Sequence, residues 1–120
     1  MATVRYIVDD VVLAIPFYES LGFQLLQNMG PIAMLGLDDL VLWVAGPGTS
    51  ARRPMPDGRA PEPGGWNRLV ITVPDIDAAV ARLRTTGAKF RNDIVSGPGG
   101  KQILIEDPSG NCIELFQPAG

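Results

Sequence analysis

The 120-residue sequence contains no histidine. That absence excludes Ser-His-Asp and Cys-His nucleophile systems and imidazole acid–base chemistry near neutral pH, and it removes the commonest transition-metal side-chain ligand. Cysteine occurs once, at Cys112, so an internal disulfide, a thiolate zinc cluster and a CxxC redox pair are excluded. Charge is sparse too: ten basic against thirteen acidic side chains leave a formal −3, with no stripe of Lys or Arg to meet phosphates. Nucleic acid is not an expected partner. The longest apolar run, Leu40–Ala45, is far too short to cross a bilayer. No basic segment leads from Met-Ala-Thr-Val-Arg-Tyr into a long apolar core, so neither a signal peptide nor a membrane is expected, and the expected location is the cytoplasm.

What is present is an apolar fraction of 46%, enough for a real core in one domain of ordinary size. Glycine and proline number 14 and 11 and are clustered, most densely in Gly46–Gly65, which lacks any apolar period and reads as a connection between two halves. On either side the same pattern occurs twice. Thr3–Val8 is strand-like, Asp9-Asp10 follows, and Val11–Leu21 carries Val11, Val12, Ile15, Tyr18 and Leu21 at helical spacing before Gly22-Phe23. Arg68–Val73, Pro74-Asp75, Ile76–Thr86 and Gly87-Ala88 repeat it, an offset of 65 placing Asp10 on Asp75 and Gly22 on Gly87. The two aspartates suit helix N-caps and the two glycines suit the left-handed residue past a helix end.

Each half continues as strands: Phe23–Gln27, Pro31–Leu37 and Leu40–Ala45 in the first, Lys89–Val95, Lys101–Glu106 and Cys112–Gln117 in the second. Asp38-Asp39 and Asp107-Pro-Ser-Gly-Asn111 supply turn chemistry. The expected architecture is therefore α+β, two βαβββ modules at residues 1–45 and 66–120 joined by a linker at 46–65. Pro16 is irregular, because a proline in a helix interior removes a hydrogen bond or kinks the helix.

This duplicated βαβββ pattern, with Phe17-Tyr18-x-x-Leu21-Gly22-Phe23 and the ending Glu106-Asp-Pro-Ser-Gly-Asn-Cys-Ile-Glu114-Leu-Phe, resembles the vicinal oxygen chelate superfamily of glyoxalases, bleomycin-resistance proteins and extradiol dioxygenases. The resemblance implies a cupped mixed sheet around a cavity, often completed across a homodimer, with metal ligands in the enzymes at the first and last strand of each module. Carried over by position, those places fall here on Thr3, Leu42, Arg68 and Glu114. Only Glu114 is a competent ligand, whereas Arg68 is a fixed cation that opposes a divalent ion. No metal and no cofactor is therefore expected.

Arg68 and Glu114 are expected to pair in the vacated place, the guanidinium keeping spare N–H donors for a ligand carbonyl or carboxylate. A buried structural ion pair that binds nothing is the plainer alternative. Strand alternation puts Arg5 on one face with Thr3, and Cys112 and Phe116 on one face with Glu114, making Arg5 and Phe116 candidate cavity residues. Trp66, two residues before Arg68, is a candidate stacking surface, whereas Trp43, next to Leu42, is assigned to the helix-packed face. Gly97–Lys101 fails as a phosphate loop and reads as a hairpin turn or flap, with Gln102 at the next strand's start a candidate donor. Cys112 has no histidine to activate it and reads as packed and inert.

These readings favour a metal-free binding protein of the bleomycin-resistance kind, sequestering a small aromatic or apolar organic molecule. The rival is a glyoxalase- or dioxygenase-type enzyme, cofactor-free with Glu114 shuttling a proton and Arg68 stabilising an oxyanion, or metal-dependent. A regulatory module with an empty cup is the third possibility.

Overall fold

In the computed structural model, which describes residues 2–120, the repeat is realised as two units, one ending at Gly64 and the other running from Gly65 to Gly120. The first contains β1 (Val4–Ile7), α1 (Val11–Ser20), β2 (Gln24–Asn28), β3 (Ile32–Leu37) and β4 (Leu40–Ala45). The second contains β5 (Arg68–Thr72), α2 (Ile76–Arg84), β6 (Lys89–Phe90), β7 (Val95–Gly97), β8 (Gly100–Glu106) and β9 (Cys112–Pro118). In each unit the strand before the helix pairs in parallel with the last strand: the orders are β1-β4-β3-β2 and β5-β9-β8-β6, with β7 also on β8.

Local chemistry sets these boundaries. The Asp10 carboxylate accepts from the N–H groups of Val12 and Leu13 at 2.9 and 3.2 Å, and that of Asp75 accepts from Ala78 at 3.1 Å, satisfying donors that a helix start leaves open. Gly22 and Gly87 take φ of 103° and 78° just past the helix ends, where a Cβ would be strained. Asp38 turns the β3–β4 hairpin at φ 51°, a conformation that short polar side chains tolerate.

The face of α1 differs from the expected one. Val11, Ala14, Tyr18 and Leu21 are buried, whereas Val12 is exposed and Ile15 only half-buried. Pro16 sits inside the helix, which continues through it. The expected strand Lys89–Val95 is also broken, because the Asn92 side chain accepts the Leu104 N–H at 2.9 Å, where a ladder carbonyl would otherwise act. Between β4 and Gly64 the chain makes a short 3₁₀ turn at Ser50–Arg52, and Arg52 donates to the Val8 carbonyl at 2.9 Å. Among the described residues no helix is long and apolar enough to cross a membrane.

The sheets bury one face each against their helix. Ala33, Leu35, Leu42 and Val44 are fully buried on the face that α1 covers, and Ile103, Ile105, Ile113 and Leu115 are their counterparts in the second unit. Residues of the opposite faces are the ones left for binding.

Candidate functional site

Strand register defines the face of the second sheet that lies away from its buried isoleucines. Lys89, Glu106, Cys112 and Arg68 stand side by side across β6, β8, β9 and β5. The next row on that face is Leu104, Glu114 and Val70, and the one after is Gln102, Phe116 and Thr72. Four expected site residues, Arg68, Glu114, Gln102 and Phe116, thus share one face. β5 keeps it accessible, since Arg68, Val70 and Thr72 are all exposed along its length.

Arg68 and Glu114 are in direct contact. Arg68 Nε donates to Glu114 Oε1 at 3.1 Å and Nη2 lies 3.0 Å from the same oxygen in an ion pair, with the Glu114 side chain only 10% exposed and that of Arg68 29%. Two nitrogens converging on one oxygen leave Arg68 Nη1 and Glu114 Oε2 with no partner among the described residues. The pair therefore displays a charged donor beside a charged acceptor, beside the aliphatic Val70 and the half-buried Phe116 ring.

A second ion pair lies beside it and was not singled out in the sequence. Arg91 Nε donates to Glu106 Oε2 at 2.8 Å, Nη1 to the Gly65 carbonyl at 2.9 Å and Nη2 to the Gly110 carbonyl at 2.9 Å. Its guanidinium also lies over the Trp66 ring, 4.6 Å from the centroid. Trp66, which precedes β5 in the chain, thus lines a hollow of about 450 Å³ together with Gly65, Lys89, Phe90, Arg91 and Glu106. The missed signal was alternation, since Glu106 lies four residues beyond Gln102 on the same strand face.

Cys112 sits under both pairs. Burial pushes its thiol up; Arg91 and Arg68 pull it back, and Glu106 and Glu114 raise it again. The raised value favours the fold below the thiol's unfolded value, and that contribution is lost as pH climbs through the folded one. A maleimide is expected to label Cys112 at neutral pH only once denaturant is added; labelling within minutes in native buffer contradicts its inert role.

In the first unit the register corrects two expectations. Arg5 pairs with Trp43 and Met34 lies opposite Trp43, while Val4 pairs with Leu42. Leu42 therefore points to the α1 side and is fully buried, and Trp43 lies half-buried on the other face with the Arg5 guanidinium 4.9 Å above its ring. Val8 closes on Ala45 as Val73 closes on Phe116, so the station equivalent to Glu114 is Trp43, not Leu42. The Arg5 guanidinium has no hydrogen-bond or ion-pair partner among the described residues. Arg5 belongs to the first unit.

In the second unit Glu114, the one carboxylate among the positions that the resemblance names, already holds the Arg68 guanidinium at 3.0 Å. Among the described residues no group of three His, Cys, Asp or Glu side chains is placed to hold a metal ion.

A family model described as the glyoxalase/bleomycin resistance protein/dioxygenase superfamily matches residues 1–115. Over 57 residues the chain is 30% identical to a lactoylglutathione lyase of Pseudomonas putida, a match covering 48% of this chain and 33% of that enzyme, so the chain matches about a third of the length of this curated relative. The fold is similar to that of TioX from Micromonospora, with a TM-score of 0.76, 20% identity and 99% of each chain covered. It is likewise similar to a glyoxalase family protein from Bacillus cereus, with a TM-score of 0.74, 24% identity and coverage of 100% of this chain and 94% of that one.

Proposed function

The chain belongs to the glyoxalase/bleomycin resistance protein/dioxygenase superfamily, and from that premise we propose that it is a metal-free small-molecule-binding protein that sequesters a small aromatic or apolar organic ligand. The observation that carries this reading is the one-sided grip of Arg68 on Glu114, which leaves Arg68 Nη1 and Glu114 Oε2 for a ligand. A ligand carbonyl or carboxylate takes the guanidinium N–H, a ligand N–H or O–H meets the carboxylate oxygen, and the apolar body lies along Val70 and Phe116. Gln102, opposite Phe116, offers a further amide. Arg5, held over Trp43 with its donors unspent, is a second cationic anchor in the first unit. Binding of this kind breaks no bond: burial supplies affinity and the charge-assisted hydrogen bonds supply orientation. The family resemblance supports a homodimer.

The partial likeness to a lactoylglutathione lyase supports a catalytic alternative, and the Arg68–Glu114 pair would serve it by cofactor-free proton transfer in which Glu114 carries the proton and Arg68 stabilises an oxyanion. Glu114 Oε1 is already engaged by the Arg68 guanidinium, and no second acid–base side chain lies within reach of the pair among its described contacts, which makes sequestration the better reading. A thermal-shift screen of aromatic natural products and glutathione hemithioacetals, followed by mass analysis of each hit, separates the two. A hit recovered unchanged, whose shift is lost in Arg68→Gln, is the expected result. A hit recovered altered establishes catalysis instead, and stabilisation by divalent cations alone overturns the metal-free reading.

A further inference from the structure

We propose that the hollow between Trp66, β6 and Glu106 of β8 is a second binding site, which takes a planar aromatic carboxylate with its ring stacked on Trp66 and its charge on Lys89. This goes beyond the Arg68 reading, because it uses other residues and another kind of contact.

Trp66 is 70% exposed, an unusual state for the most costly side chain to leave in water. Yet it is not loose. One face of the indole rests on the Arg91 guanidinium, and Arg91 is itself held by Glu106 and by the carbonyls of Gly65 and Gly110. The Gly65 carbonyl belongs to the residue just before Trp66, so the bond that fixes the arginine also fixes the backbone entering the ring. A platform immobilised before a ligand arrives loses little entropy when one stacks on it. Trp66 and Arg91 together line a hollow of about 450 Å³, within the range of small-molecule sites.

The polar lining decides the ligand's charge. Lys89 and Arg91 are cationic and Glu106 is anionic, so the hollow carries one net positive charge. Arg91 uses Nε, Nη1 and Nη2 for protein acceptors, and Glu106 Oε2 is taken by Arg91. The Lys89 ammonium stands 3.9 Å from Glu106 Oε1 with its side chain 81% exposed, at the limit of an ion pair. It is the charge with capacity to spare, and an anion is what it would take. Phe90 supplies the apolar wall.

The test is a titration of the ¹⁵N-labelled protein with 2-naphthoate, following the two indole N–H signals, which Trp66→Phe assigns. The Trp66 signal is expected to shift saturably while the Trp43 signal does not, and Trp66→Ala to abolish binding. Lys89→Gln, a surface change that leaves folding intact, is expected to weaken binding about fivefold, as is replacing the probe by uncharged 2-naphthalenemethanol. Cyclohexanecarboxylate, an anion without a planar ring, is expected to give no saturable shift. An unmoved Trp66 signal, or equal affinity in Lys89→Gln, overturns the proposal. Binding that leaves Trp66 unmoved and is lost in Arg68→Gln overturns it too, while supporting the reading of the Arg68 face.

Discussion

Replacing Arg91 by alanine is expected to destabilise the chain by about 3 kcal/mol, because it removes three hydrogen bonds from one charged group and leaves Glu106 without its close partner. Two of the three acceptors are backbone carbonyls on separate segments, Gly65 before β5 and Gly110 in the β8–β9 turn, so a single side chain ties the start of one strand to the turn between two others. The arginine side chain is 16% exposed and that of Glu106 20%, which limits how far water can replace what is lost. Arg91→Lys restores the charge opposite Glu106 but not the planar fork, and is expected to recover less than half of the loss. Urea unfolding with an unchanged slope checks both. A loss below about 1 kcal/mol in Arg91→Ala would mean that the fork exchanges freely with water and braces nothing.

The second large effect is at Arg68. Arg68→Met leaves the Glu114 carboxylate, 7% exposed overall, with no positive partner, and is expected to cost about 2–3 kcal/mol of stability. Adding Glu114→Met removes the stranded charge, and the double variant is expected to return to within about 1 kcal/mol of the parent. Stability and binding then part company. Stability recovers in the double variant, but any ligand found in the thermal-shift screen stays lost, because neither Nη1 nor Oε2 is there to meet it. A double variant that binds such a ligand as well as the parent would reduce the pair to a structural prop.

The features legible in the sequence are those written in neighbouring residues. Asp10 and Asp75 cap helices through their own backbone, two or three residues on, and Gly22 and Gly87 end them, so the repeat carried its boundaries with it. In Cys112-Ile-Glu-Leu-Phe the single carboxylate marks one face of the strand, and the side shared by Cys112, Glu114 and Phe116 followed from it. Leu40–Ala45 does not alternate. A run of six apolar residues has the same pattern whichever face is turned inward, and Leu42 and Trp43 were accordingly interchanged. Val12 and Val11 posed the same ambiguity on α1. Arg91 was illegible for another reason: its acceptors at Gly65 and Gly110 are main-chain oxygens, 26 and 19 residues away, and no side-chain spacing encodes them. Asn92 likewise interrupts a strand through a side-chain contact 12 residues distant.

The register of the two sheets bears on how specificity can change. At equivalent stations, next to equivalent parallel pairings, one unit sets Arg5 against Trp43 and the other sets Val70 against Glu114. The ladder is held by main-chain groups and the helix-side faces by aliphatic side chains, so neither depends on what occupies these stations. One folding plan thus tolerates two unlike surfaces, an aromatic plate under a cation in one half and a carboxylate in the other. Substitution at a station of one half is free to change that surface without a matching substitution in its twin.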